Sequence, residues 1–348
     1  KQKLFTTATP RTYSTNVKKA AKDQEIIVTG MDDENVFGTV FHKLSFGEAI
    51  EKELLTDYQV VVVGVDEPMV KEWIDERKIL ELNNDEGIDA GSLAAQVGVL
   101  KAIKDYDLKR LITFHSRVTR AQSFSQDILS ILPIIPKKEL AKGILKTDFV
   151  SGQMATNKRR QKLEQLKHLN DCDRQILSNA RCLSEGVDVP ALEGIAIIDP
   201  RKSQVDIVQT VGRAIRLSKD KSVGTIVIPV FIQNSDDPEI AIENSNFKPV
   251  YDVLNALKSH DEQLSFELDE MRIEMGKRKT GTGPSGNIPK VTIDLPKRHT
   301  LDFAQSIRTI LVENITESWN FRYGLLENYV EEYNSTIVPQ KFIIHEKY

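Results

Sequence analysis

The 348 residues suggest about two domains and are enough to bury a large core. The composition is that of an ordinary globular protein, 40% hydrophobic and 28% charged. A net charge of -4 excludes a global attraction for nucleic acid, so binding to a polyanion has to come from local basic patches.

In chain order, apolar runs predict strands at Leu4 to Thr7, Glu25 to Thr29, Val60 to Val65, Arg110 to Phe114, Gln175 to Ser178, Ile195 to Asp199 and Thr225 to Pro229. Amphipathic helices are predicted between them, at Ala90 to Lys104, Val118 to Ile131 and Lys158 to Leu169. Short apolar strands alternating with helices imply an α/β fold with a parallel sheet covered on both faces. Ligands of such sheets sit beyond the carboxyl ends of the strands. After Pro229 the character changes. Residues 234–246 are acidic and Asn/Ser-rich, 247–278 read as helix, and KRKTGTGPSGNIPK is a Gly/Pro/basic linker. Helical periodicity returns from Leu301 to Tyr333, where Trp319, Tyr323, Leu326, Val330 and Tyr333 form a stripe expected to face a core.

The local basic patches are Lys137-Lys138, Lys158-Arg159-Arg160 with Lys162, and Lys277-Arg278-Lys279, each also readable as a solvated face. Cys172 and Cys182 make neither a CxxC nor a disulfide framework, and the six histidines lack metal-ligand spacing. The expectation is a reduced, cytoplasmic protein with no structural metal, no membrane span and no internal repeat. The chain opens at Lys1 on a strand-like KLFTT, which reads as a piece of something longer.

Residues 209–216 read QTVGRAIR. Ser203 followed by Asp206 fits a helix N-cap with its capping-box partner, so a helix is predicted from Gln204 at least to Leu217. At about 100° per residue, Gln209, Arg213 and Arg216 share one stripe and Val208, Val211 and Ile215 another. One face packs and the other presents an array of donors. Gly212, costing about 1 kcal/mol against Ala in a helix, is better explained if something approaches the backbone there.

Three further stretches stand in a fixed order with this one: RLITFHSRVTRAQSF (110–124), VSGQMATNKRR (150–160) and ILSNARCLSEGVDVP (176–190). Together the four closely resemble motifs IV, IVa, V and VI of the second RecA-like lobe of superfamily 2 helicases and translocases. LFTTATPR (4–11) resembles motif III, which closes the first lobe. Residues 31–65 look like the segment joining the lobes in the branch containing type I and type III restriction motor subunits. WNFRYGLLENYVEEYNSTIVPQKFI (319–343) resembles the start of a helicase-associated domain. The implied organisation is the end of a first lobe and linker at 1–35, the second lobe at 36–233, a helical connector and linker at 234–295, and a truncated helical helicase-associated domain at 296–348.

In that superfamily ATP lies between two lobes. The first lobe supplies a GxxxxGK[ST] loop and an acidic Mg²⁺ motif, and neither pattern occurs in this sequence. The resemblance therefore implies the lobe that lends arginines to ATP with Mg²⁺ held by a first lobe in cis. Arg213 and Arg216 match the motif VI arginines and Gln209 the coupling residue beside them. Glu185, Gly186 and Asp188 match the nucleotide side of motif V, with a turn residue capping its own loop as the other reading of Asp188. Ser116 and Arg117, Ser151 and Gly152, and Asn179, Arg181 and Ser184 match positions that contact a nucleic-acid backbone, DNA by inheritance from the branch. Strand-end caps or exposed loop residues are the alternative for each. The motif V loop is one residue longer than the DEAD-box spacing, which displaces Asn179 from the usual threonine position. Thr7 and Thr9 match motif III, which transmits the nucleotide state.

The expected function is the second motor lobe of an ATP-dependent DNA helicase or translocase, inert by itself. The competing reading is a RecA-like module that binds nucleic acid or protein without completing an ATP site. An unrelated doubly wound nucleotide-binding enzyme would need a Gly-rich strand-to-helix turn such as GxGxxG, and no predicted strand is followed by one.

Overall fold

Residues 57–66 read DYQVVVVGVD, a run with apolar side chains in consecutive positions, as a strand covered on both faces requires. In the computed structural model, which describes residues 3–7, 28–71, 90–169, 172–180, 192–199, 203–218, 221–233, 237–278, 284 and 286–339, that run is strand β1 (Asp57–Asp66). Its side chains alternate between two cores. Val60 and Val62 face one, and Val61, Val63 and Val65 face the other.

The chain divides into two compact units, Lys1–Ser45 and Phe46–Tyr348. In the first, helix α1 (Glu34–Phe37) is capped by Asp33, whose carboxylate accepts the Asn35 N–H at 3.1 Å, and Phe5 packs edge-on against Phe37 at 5.0 Å. Leu4 to Thr7, expected as a strand, is described and is not in one. Of the strand expected at Glu25 to Thr29, only residues 28 and 29 are described, and neither is in a strand.

In the second unit, after α2 (Phe46–Glu51), β1 is joined by β2 (Arg110–His115), β3 (Leu145–Ser151), β4 (Arg174–Ala180), β5 (Gly194–Ile197), β6 (Val223–Ile232) and β7 (Val291–Asp294). They form one sheet in the order β3-β4-β2-β5-β6-β1-β7, and every pairing is parallel. Helices α3 (Ala90–Asp105) and α4 (Val118–Ile131) cover one face. The other face carries α5 (Thr156–His168), α6 (Gln204–Ala214), α7 (Pro238–Asn244), α8 (Lys248–Lys258), α9 (Glu262–Lys277) and α10 (Leu301–Ile315). This is the RecA-like α/β architecture expected, with helices on both faces and helical structure following.

β3 and β7 were not foreseen. β3, LKTDFVS, is an edge strand whose residues are mostly half-buried, so it lacks the continuous apolar run that marks the central strands. β7 holds only four residues and lies in the stretch read as linker, where its Val291–Asp294 pair with Val60–Val63 of β1. The single helix expected at 247–278 is two. Asp261 ends the interruption by capping α9, accepting the Leu264 N–H at 3.1 Å and the Tyr58 hydroxyl at 2.7 Å.

Helix α11 (Ser318–Tyr333) lies on α9 with two glycines at the crossing. A Cβ built on Gly324 would fall 2.0 Å from the Ile273 carbonyl oxygen, and one on Gly276 would fall 2.2 Å from that of Phe321. Arg272 stacks on Phe321 at 4.6 Å and pairs with Glu313 of α10 at 2.6 Å. Because the near side of α11 is glycine, the aromatic stripe expected in a core turns outward, and Trp319 is 65% exposed.

Candidate functional site

The sheet brings three of the four motif segments to one edge. β2, β3 and β4 are neighbours, and their last residues stand level: Ala180 is in register with both His115 and Ser151. Ser116, Arg117, Ser151, Gly152 and Asn179 therefore gather at the carboxyl edge. Arg181, Ser184, Glu185, Gly186 and Asp188 lie outside the described residues, as does Thr9. Thr7 is described and exposed, within the first compact unit.

The edge residues differ in what they present. Arg117 and Gly152 are exposed, Ser116 is half-buried, Ser151 is buried, and Asn179 has 0% of its surface exposed. Asn179 is thus an interior residue of β4, with Phe114 and Val150 in register on its two sides. Ser116 is held rather than free. Its N–H and hydroxyl donate to one Asp199 oxygen at 2.8 and 2.9 Å, and Arg120 pairs with the other. Burial by itself would raise the Asp199 pKa, but these donors outweigh it and hold the carboxyl below its usual range. Asp199 was read from the sequence only as the last residue of a strand. Its place just after β5, beside β2, is what turns it into the partner of the β2–α4 turn.

Behind this edge is a buried polar chain. Thr113 Oγ1 donates to Ser178 Oγ at 3.0 Å and lies 2.8 Å from His115 Nε2, while the His115 ring packs on Phe124 at 4.9 Å. Burial pushes the His115 imidazolium down to about pKa 4, partly opposed by Asp199. His115 is therefore neutral at pH 7 and bonds within β2 to Thr113, the residue that ties β2 to β4.

Motif VI sits elsewhere. α6 runs antiparallel to the strands, so its end falls at the amino edge of the sheet, where Arg216 pairs with Leu55 ahead of β1. Ser203 occupies the N-cap position with extended backbone, but its side chain makes no capping bond. Val208, Val211 and Ile215 are buried, as the stripe requires. Gln209 is half-buried, and Arg213 is 8% exposed. The helix stops at Ala214 rather than continuing to Leu217, which places Arg216 in the exit turn and off the helical stripe. The backbone at the exit is diverted outward: the Ala214 carbonyl accepts from Lys221 Nζ at 2.7 Å and the Ile215 carbonyl from the Thr56 N–H at 2.8 Å. Among the described residues, no heavy atom comes within 4 Å of a Cβ built on Gly212, so this side of the helix is open.

The donor set suits an anion. Arg213 stands in the last turn of α6 and Arg216 in the exit that follows, a guanidinium can fork hydrogen bonds onto phosphoryl oxygens, and the glycine directly before Arg213 leaves the backbone accessible. Among the described residues no group of three or more His, Cys, Asp or Glu side chains could hold a metal ion. No described helix is long and apolar enough to cross a membrane.

Comparison with known proteins agrees with the fold. Residues 99–218 match the helicase conserved C-terminal domain. Over 269 residues, 74% of this chain and 26% of the relative, the sequence is 23% identical to the probable helicase A859L of African swine fever virus. It is 30% identical over 84 residues, 24% of this chain and 14% of the relative, to the putative helicase 22 of Sulfolobus islandicus filamentous virus. Among solved structures, the ATP-dependent Type ISP restriction-modification enzyme LlaBIII bound to DNA superposes with a TM-score of 0.67 at 28% identity, covering 88% of this chain and 20% of that one. The chain spans about a quarter or less of the length of each of these proteins.

Proposed function

We propose that this chain, whose residues 99–218 match the helicase conserved C-terminal domain, is the second motor lobe of an ATP-dependent DNA helicase or translocase, acting on ATP bound by a first lobe elsewhere in the same polypeptide. The observation that carries the reading is the separation of two edges on one rigid sheet. The carboxyl edge gathers Ser116, Arg117, Ser151 and Gly152, and the amino edge carries the exit of α6 with Arg213 and Arg216. A lobe that converts hydrolysis into movement needs a nucleotide-facing surface and a track-facing surface joined by elements that do not bend.

Arg213 and Arg216 stabilise the charge that spreads over phosphoryl oxygens as the terminal phosphate is transferred to water. A guanidinium stays charged at any working pH and supplies paired donors, and fingers of this kind contribute on the order of 10³ to 10⁵ in rate in other phosphoryl-transfer systems. Gln209, one turn before Arg213, relays the nucleotide state towards the nucleic-acid side. Arg117, Gly152 and the turn held by Asp199 meet the phosphate backbone of DNA, contacts that position a protein without reading sequence. DNA as the track draws support from the 28% identical neighbour, a restriction-modification enzyme bound to DNA.

ATP hydrolysis by the full-length parent, measured with duplex DNA, single-stranded DNA, RNA and no nucleic acid, tests this reading. DNA-stimulated turnover is the expected result. A parent that binds DNA but hydrolyses no ATP under any of these conditions would replace the motor with a RecA-like binding module.

A further inference from the structure

A helix leaves its last carbonyls without internal partners. At the exit of α6 the carbonyl of its last residue, Ala214, and those of Ile215 and Arg216 just after it are captured by side chains and backbone from outside the helix. Lys221 Nζ donates to Ala214 O at 2.7 Å, the Thr56 N–H to Ile215 O at 2.8 Å, and Thr56 Oγ1 to Arg216 O at 3.3 Å. Lys221 also donates to Leu192 O at 3.0 Å, which ties the exit to the segment entering β5. Lys221 is 9% exposed, and Thr56 is buried too. Gly224 lies against the same place: a Cβ there would sit 2.4 Å from Ala214 O, so only glycine lets β6 pass this close.

An ammonium is a costly group to bury, and among the described residues no carboxylate pairs with Lys221. Burial pushes its pKa down to about 8, with Glu193 opposing the shift. Among the described residues, Lys221 Nζ donates to two main-chain carbonyls, one of them at the negative end of the α6 dipole. The three captured carbonyls belong to the residues between and including the second arginine, with Arg213 directly before them.

We propose that Lys221 and Thr56 are positioning residues that fix the exit turn of α6, and through it the placement of Arg213 and Arg216 towards the nucleotide. This rests on the reading of those arginines as the phosphate-facing pair. A displacement of about 1 Å at a catalytic group can cost on the order of 100-fold in rate, so a clamp on the main chain between two such groups acts on turnover before it acts on binding.

The test uses the full-length parent carrying Lys221→Met, which keeps the length of the side chain, and Thr56→Val, which keeps its shape and the main-chain bond while removing the hydroxyl. DNA-stimulated kcat, KM for ATP, DNA affinity and Tm are measured for each. The expected result is a fall in kcat of about 10-fold or more for Lys221→Met and about 3-fold or more for Thr56→Val, with KM and DNA affinity within about 3-fold of wild type. Thr56→Val made in an Arg216→Ala background is expected to lower kcat by less than about 2-fold further, because a residue acting through Arg216 has nothing left to position. Full additivity in that cycle, or unchanged kcat in both variants while Arg213→Ala and Arg216→Ala lower kcat by about 10³-fold, overturns the positioning role and leaves the motor reading standing. Intact hydrolysis in the arginine variants removes the motor reading itself. Should Lys221→Met fail to fold, Thr56→Val and its cycle decide the matter alone.

Discussion

Replacing glycine by alanine at positions 324 and 212 changes the same atom in two helices and is predicted to have opposite effects. At Gly324 of α11 the new methyl carbon would sit 2.0 Å from the Ile273 carbonyl oxygen and 3.1 Å from the Gly276 Cα, both main-chain atoms of α9. Atoms of this kind sit at about 3.5 to 4.0 Å when packed comfortably, so α11 has to retreat by more than an ångström. Gaps of that size forfeit a quarter to a half of the contact energy along the crossing, and overpacking of this sort costs about 1 to 3 kcal/mol. Alanine returns about 1 kcal/mol in helix propensity. With backbone on both sides and no rotamer to yield, the upper end applies, and the net effect is a loss of about 2 kcal/mol. Gly212 has no described atom within 4 Å, so there the propensity term stands by itself and Gly212→Ala is predicted to gain about 0.5 to 1 kcal/mol. Urea unfolding of the 348-residue chain, with amide hydrogen exchange in α9 and α11, reads both. Neutral or stabilising behaviour of Gly324→Ala would refute backbone contact between these helices. In the full-length parent Gly212→Ala has a second readout: loss of ATP turnover with stability intact would show that the open side of α6 is occupied during catalysis.

Asp199→Ala strips the acceptor from the Ser116 N–H and hydroxyl and is predicted to cost about 1 to 3 kcal/mol, whereas Arg120→Ala is predicted to stay within about 0.5 kcal/mol because Arg120 is 62% exposed; chemical denaturation of both variants checks the contrast. Stability is predicted to fall with acidification through His115. The fold favours its neutral form, so the unfolded chain takes up a proton below about pH 6.5 and the folded chain only near pH 4. The contribution is fully present above pH 6.5 and is lost as pH falls towards 4, a change of roughly 3 kcal/mol. Urea midpoints measured across this window should flatten in His115→Gln, and an unchanged slope would contradict the burial of a neutral imidazole.

Much of this was legible in the sequence because it is carried by local pattern. The run at 60–65 has to be a strand buried on both faces, and α4 begins and ends at the predicted Val118 and Ile131. The packing stripe of QTVGRAIR fell where its spacing put it. Features set by tertiary partners were not legible. β7 is four residues that become a strand only because β1 has an unpaired edge beside them. The end of α6 at Ala214 is marked by no Gly or Pro between Ile215 and Leu217, and the groups that meet its exit carbonyls are Lys221 and Thr56, the latter distant in sequence. The glycine-lined contact of α11 with α9, which leaves Trp319 outside, is made with a helix some fifty residues earlier in the chain. At the candidate site the sequence named Ser116 but not the Asp199 that holds it, since that pairing exists only once β2 and β5 are neighbours.

The most direct test of the central claim compares ATP with a transition-state mimic in the full-length parent. Wild type, Arg213→Ala and Arg216→Ala are assayed for DNA-stimulated kcat and for affinity towards ATP and towards ADP with aluminium fluoride. If these arginines act on the transition state, kcat falls by about 10³-fold or more and the mimic loses affinity in parallel, while ATP affinity stays within several-fold. Equal losses for ATP and the mimic, or turnover that survives both substitutions, would contradict the assignment of this lobe as the one that lends its arginines to the nucleotide.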